Sequence, residues 1–314
     1  MGSHSPPPVN LTSPDKLARL STAFVAMAAL CWGLSGGIGA VLMSEGWNAF
    51  VVTFYRGAIG LLFVLTWLMF RPADNGLTKR RLCFWSVIAG LGVAGNFSFY
   101  FISIAQGSIA VAATLMYCAP VFVYLVSFAL KLETATPLKW AAIVLVMLGI
   151  VLLTGIYDID ASSVTPLAVG AGLLAGLCYA LFIFGFKYAA PHGSPQAILL
   201  IAFAVTVALL AWPGDIRQII AVLNAPVWPL FMLLGVLGAG LSFILYIVGL
   251  NYTTPAVASI VAMVEPVTAS LFGVFVLNES LTHMQFFGMG LILLTVTILS
   301  VHSNVQRAFY DEAS

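Results

Sequence analysis

The chain has 314 residues, 61% of them hydrophobic and 7% charged, with a formal net charge of +1. A water-facing surface needs roughly a quarter of its residues charged, so a soluble globular protein is excluded and lipid is the main solvent. The near-neutral charge also argues against nucleic acid as a partner; the bilayer is the partner that this composition demands.

Residues 1–20 begin Met1-Gly2-Ser3-His4 and carry Pro6-Pro7-Pro8, and they read as a disordered tail outside the fold. The first apolar run is longer than the roughly 7–15 residues of a signal-peptide core, so it reads as a retained helix. A spanning helix needs about 20 apolar residues. Runs of that kind follow near 22–43, 50–70, 82–104, 109–130, 138–156, 166–188, 196–213, 227–249, 256–277 and 284–302. They are continuously apolar, unlike the alternating strands of a membrane barrel. Turn residues such as Gln106-Gly107-Ser108 and Asn251-Tyr252-Thr253-Thr254-Pro255 separate them. The expectation is an all-α integral membrane protein of ten transmembrane helices, with residues 303–314 as a C-terminal tail. Cys31, Cys83, Cys118 and Cys178 lie in apolar runs and read as small buried hydrophobes.

Charge orients this bundle. With the N-terminus inside, one side holds Lys16, Arg19, Arg71, Lys79, Arg80, Arg81, Lys131, Lys139, Lys187 and Arg307. The other holds Arg217 with Glu45, Asp158, Asp160, Asp215 and Glu279. The positive-inside rule then predicts both termini in the cytoplasm, as an even helix count requires.

The chain repeats itself. Pro120 and Pro266 are 146 positions apart, from 266 − 120. At the same shift Leu91-Gly92 matches Leu237-Gly238, Phe97 matches Phe243, Tyr100 matches Tyr246, Ala110-Val111-Ala112 matches Ala256-Val257-Ala258, and Glu133 matches Glu279. One residue further along, Ala28, Leu30, Cys31 and Leu34 match Ala175, Leu177, Cys178 and Leu181. The units are 21–156 and 166–302. Five helices is an odd number, so the second unit must enter the membrane upside down. Two such halves can open to either side at comparable free energy, which is a recurrent transporter design.

The stretch from Pro120 through Glu133, Thr136 and Gly149, with its partner from Pro266 through Glu279, Thr282, Gln285 and Gly288, resembles the EamA-type unit of the drug/metabolite transporter superfamily. The resemblance runs over about residues 20 to 302, and the chain is similar to YddG-type exporters of aromatic amino acids. It implies a bundle around a central cavity lined mainly by the first, third, fourth, sixth, eighth and ninth helices. It also implies a secondary transporter of the bacterial inner membrane working by alternating access, most simply as a monomer. Pro120, Pro266, Glu133 and Glu279 carry over as scaffold. The pattern departs at Ala142 against Gly288 and at Gly149 against Thr295, so the halves are not interchangeable in packing.

Site candidates are polar or aromatic residues near mid-membrane. The third helix carries Asn96, Tyr100 and Ser103 on one face, and the eighth carries Ser242 and Tyr246 at the matching places. Trp32, Ser35, Thr114, Tyr117 and Tyr179 sit deep in their helices, whereas interfacial belts place Trp and Tyr at the ends. They fit either a ring-lined cavity or interhelical packing. Glu265 sits beside Pro266, where the first unit has Ala119. An ionised acid at mid-bilayer costs about 2.5–3.5 kcal/mol. It therefore either faces a cavity, binding an ammonium or titrating, or is protonated and caps the carbonyl that Pro266 frees. Arg56 lies about a third of the way into the second helix, where snorkelling is favoured over a substrate carboxylate. Pro120 and Pro266 are candidate hinges.

No catalytic, metal or cofactor site is expected. Gly33-Leu34-Ser35-Gly36-Gly37 matches a hydrolase elbow but lies inside a helix, where Gly33 and Gly37 read as a close-packing pair. His4, His192, His283 and His302 lie in tails, loops or helix ends, and no P-loop occurs. The expected activity is export of small amphipathic metabolites, amino acids with aromatic ones among them. A sugar-phosphate, nucleotide-sugar or multidrug carrier, or a non-transporting membrane enzyme, is the alternative.

Overall fold

The computed structural model describes residues 20–70, 75–160 and 164–313, with side chains as far as residue 303. The tail 1–19, with Lys16 and Arg19, lies outside the described residues, as do Arg71 and the side chain of Arg307.

Among the described residues ten long rods make the bundle, with a short helix Ile216–Val222 between the seventh and eighth: α1 (Ser21–Ser44), α2 (Ala49–Phe70), α3 (Arg80–Ala105), α4 (Ile109–Ala129), α5 (Pro137–Thr154), α6 (Pro166–Ala189), α7 (Pro195–Ala211), α8 (Trp228–Asn251), α9 (Pro255–Val276) and α10 (His283–Ala313). No strand occurs among the described residues. Nine of the rods are long and apolar enough to cross a membrane. The exception is α7, whose 17 residues cover about 25 Å at 1.5 Å per residue. It is hemmed between Pro195 and Pro213, and Pro213 has no N–H with which to continue the helical ladder. α10 continues past the expected end at 302 to Ala313.

Several starts follow one recipe. Thr136, Thr165 and Ser194 each accept a hydrogen bond from the N–H three residues on, and each precedes a proline. The hydroxyl satisfies an orphan donor, and proline fits the first turn because its missing N–H has no helical partner. Three rods are interrupted. α4 breaks between Met116 and Ala119, and α9 between Val261 and Val264, in both cases just before the repeat-related prolines. α8 contains a π turn over Val236–Leu241.

Packing between rods obeys the repeat. α1 packs on α8 and α9 as α6 packs on α3 and α4, and α2 packs on α8 as α7 packs on α3. α2 with α7, α4 with α9 and α5 with α10 join equivalent rods. Small residues set these crossings. An added Cβ on Gly92 would stand 2.6 Å from the Phe182 nitrogen, and one on Gly238 would stand 2.6 Å from Ser35 Oγ. Phe182 and Ser35 are themselves 147 positions apart, so one crossing is built twice. Gly33 lies against Thr268 and the Glu265 carbonyl, and Gly37 against the Phe272 ring. The four cysteines are free and half-buried rather than fully buried.

Because the rods alternate in direction, the N-terminus of α1 defines a proximal end and its C-terminus a distal end. The proximal end is sealed. There the first half of α9 packs on the second half of α4, and the distal counterpart of that contact has no comparable packing.

Candidate substrate cavity

A cavity of about 340 Å³ runs from mid-depth to the distal end. Ala40, Met43, Thr53, Ile104, Ile109 and Leu277 line its mouth, all near distal helix ends. Its floor is aromatic. Trp32 stands 5.0 Å from Phe243 between ring centroids, and Tyr179 stands 4.5 Å from Phe182. Tyr246 lies beneath, 4.9 Å from Trp32 and fully buried.

Seven of the nine sequence candidates line this space: Trp32, Ser35, Asn96, Tyr100, Tyr117, Tyr179 and Glu265. Ser242 and Tyr246 do not. They are wholly buried, and neither hydroxyl has a hydrogen-bond partner among the described residues. Their counterparts Asn96 and Tyr100 sit on the open side, so the repeat pairs an exposed set with a closed one. The candidate hinges Pro120 and Pro266 lie just beyond the breaks in α4 and α9.

The polar groups are partly committed to the scaffold. Asn96 Nδ2 donates to the Ala175 carbonyl at 2.9 Å and Ser103 Oγ to the Ala168 carbonyl at 2.7 Å, latching α3 to α6 two turns apart. Ser35 Oγ donates to the Trp32 carbonyl at 2.9 Å. Thr114 pairs with Thr154 Oγ1 at 2.6 Å and stands outside the cavity walls.

Glu265 occupies the first turn of the second half of α9, where the helix dipole favours a negative charge. The carbonyl that Pro266 leaves without its usual donor is that of Ala262. It accepts instead from the Glu265 backbone N–H at 2.9 Å. The Glu265 side chain is therefore not the cap; it lines the cavity and its Oε2 accepts from Tyr179 Oη at 3.3 Å.

Arg56 does not simply snorkel. It lines the cavity rather than only reaching for the interface, and its Nε donates to the Gly238 carbonyl at 2.9 Å. Its guanidinium carbon lies 5.1 Å from the centroid of the Phe97 ring. A lone charge in an apolar helix was the available signal. Phe97, Phe182 and Phe243 also join the walls; Phe97 and Phe243 are a repeat-matched pair, which is the available signal, and Phe182 has none.

The sealed end carries its own polar closure. Glu133 Oε1 accepts from the Ala256 N–H at 3.2 Å, and Glu133 Oε2 pairs with Lys139 Nζ at 2.6 Å. Lys187 Nζ donates to the carbonyls of Leu250 and Thr253 at 2.7 and 2.8 Å. Among the described residues the distal end lacks this closure. Glu279, the counterpart of Glu133, is exposed at the cavity mouth, and Ser108 caps its own helix by accepting from the Val111 N–H. Thr254, the counterpart of Ser108, makes no such cap.

Comparison with known proteins fits this architecture. The sequence profile of the EamA-like transporter family matches residues 20–155 and again 166–301. An uncharacterized transporter of Archaeoglobus fulgidus is 28% identical over 282 residues, covering 89% of this chain and 96% of that protein. The threonine/homoserine exporter RhtA of Escherichia coli strain K12 is 26% identical over 247 residues, covering 77% and 78%. A crystal structure at 17% identity superposes with a TM-score of 0.72 over 90% of this chain and 98% of its own, which shows a shared fold. The twofold profile match covers nearly the whole chain, and on that ground the protein belongs to the EamA-like transporter family and is a multi-pass membrane transporter, not an enzyme.

Proposed function

We propose that the protein exports small amphipathic zwitterions, amino acids with aromatic members among them, across a bacterial inner membrane by alternating access. The observation that carries this reading is the cavity itself. It is small, at about 340 Å³, near the lower bound of roughly 300–1,000 Å³ for ligand sites. It combines ring faces with the Glu265 carboxylate, which suits the ammonium of a compact amphipath. The similarity to a threonine/homoserine exporter supports the same class. A sugar-phosphate or nucleotide-sugar cargo fits less well, because Arg56 is the one cation among the described lining residues and Glu265 and Glu279 on the same walls would repel a doubly charged phosphate.

The positive-inside skew assigns the proximal end, with Lys139 and Lys187, to the cytoplasm, and with it both termini. The cavity then opens outward. Alternating access is supported by the unequal states of equivalent groups. Glu133 bridges to α9 while Glu279 is free, and Tyr246 is closed off while Tyr100 lines the cavity. Exchanging these roles opens the cytoplasmic side: Glu279 caps the Ala110 N–H, and Ser242 and Tyr246 gain cavity partners for their hydroxyls. The cavity is complete within one chain, so a monomer suffices.

Purified protein in liposomes tests the reading. Counterflow of labelled phenylalanine or threonine, competed by the natural amino acids, is the expected result. Absence of counterflow for every amino acid overturns it.

A further inference from the structure

We infer that Arg56 is a preorganised seat for the carboxylate of the transported solute, so that the cavity selects zwitterions over amines. This rests on the amino-acid reading above and adds the residue that enforces it.

Arg56 is held on two sides. Its Nε is tied to the Gly238 carbonyl at 2.9 Å, in the π turn of α8, and its cationic plane sits by the Phe97 ring. π turns recur at functional sites. Only glycine permits this approach, because an added Cβ on Gly238 would stand 2.7 Å from Arg56 Nε. A side chain that merely snorkelled would extend along its own helix toward the interface. This one crosses to a neighbouring helix instead. With Nε fixed, the two terminal nitrogens have no partner among the described residues, and the residue lines the cavity. A rigid guanidinium fork with free donors matches a carboxylate in bidentate geometry.

The opposite pole is Glu265. The two charges line one cavity, yet no hydrogen bond or ion pair joins them among the described residues. Opposite charges that share a cavity without touching still lack direct partners for their hydrogen-bonding groups, which is costly at membrane depth. A zwitterion satisfies both poles at once, whereas an amine leaves Arg56 bare and a simple carboxylate leaves Glu265 bare. The Tyr179 hydroxyl on Glu265 and the Gly238 carbonyl on Arg56 fix the direction in which the solute lies.

The test uses the full chain in proteoliposomes. Counterflow of labelled phenylalanine and of labelled threonine is competed by the unlabelled amino acid and by its decarboxylated amine, phenethylamine or 1-aminopropan-2-ol. In the wild type the amine is expected to compete about tenfold or more weakly than the amino acid. In Arg56→Gln the gap narrows to about two- to threefold, and Arg56→Lys falls between, since it keeps the charge without the fork. Monodispersity in detergent checks that the variants fold. If the wild type accepts the amine as well as the amino acid, the inference falls without any variant. If Arg56→Gln keeps the full discrimination, it falls as well, while the amino-acid reading stands. No counterflow of any amino acid by the wild type removes both.

Discussion

Glu133, on the connection between α4 and α5, accepts a hydrogen bond from the backbone N–H of Ala256 at the start of α9, 123 positions away. That bond joins the two halves of the chain at the sealed end. Glu279, at the matching place in the second half, stands exposed at the open end. On the alternating-access proposal, these two acids are the groups that exchange roles when the other side opens.

Removing the bridge is expected to loosen the sealed end. A hydrogen bond to a charged group contributes about 1.5–3 kcal/mol, so Glu133→Ala should raise the fraction open on that side by about tenfold or more. A cysteine at Ser259, buried in the first half of α9, in a cysteine-free background reads this as faster labelling by a membrane-impermeant maleimide. Glu279→Ala should act the other way, slowing both that labelling and counterflow, because the cytoplasm-open arrangement loses its cap on Ala110. Equal labelling in Glu133→Ala and the parent would remove Glu133 from the gate.

Glu265→Gln keeps the shape of the side chain and deletes its charge. It is expected to lower counterflow about tenfold or more, while Tyr179→Phe, which removes only the hydrogen bond to Glu265, lowers it a few-fold. Both variants should stay monodisperse. A Glu265→Gln protein that transports at the parental rate would show that the carboxylate does not touch the solute.

Two helical glycines should answer an alanine substitution in opposite ways. A Cβ on Gly33 would stand 2.5 Å from Thr268 Cβ and 2.6 Å from the Glu265 carbonyl, so Gly33→Ala forces α1 from α9 and costs about 1–3 kcal/mol. Gly170 has open space around it, and Gly170→Ala should stabilise by about 0.5–1 kcal/mol through helix propensity alone. Thermal unfolding in detergent compares them, and a similar shift for both would mean that the α1–α9 approach is not tight.

Ser103→Ala breaks the latch from α3 to the Ala168 carbonyl without altering the cavity, which Ser103 does not line. Interhelical bonds of this kind contribute about 0.6 kcal/mol on average in membranes. A small drop in Tm with unchanged transport is expected. Lost transport at unchanged Tm would assign Ser103 to the moving parts.

Much of the site was legible because its signals are local. Glu265 is an acid in an apolar run, and Trp32, Tyr117 and Tyr179 are amphipathic rings at mid-depth, so each stands out against its own neighbours. Arg56 stands out too, but its partner Gly238 is 182 positions away, and without that partner the pattern around Arg56 is that of a snorkelling side chain. Ser242 and Tyr246 were grouped with Asn96 and Tyr100 because the repeat makes them equivalent. They are equivalent in sequence, but the bundle opens on one side and encloses them on the other.

The sequence by itself determined the solvent, the helices and the doubling of the chain. Run length and charge spacing act within one segment, and the repeat is written in matched prolines, glycines and acids. Only the tertiary structure decided which end is open, which rings form the floor, and that Arg56 and Glu265 share one chamber. Those outcomes depend on how rods cross and on contacts between residues far apart in the chain, such as Arg56 with Gly238, so no single stretch of residues records them.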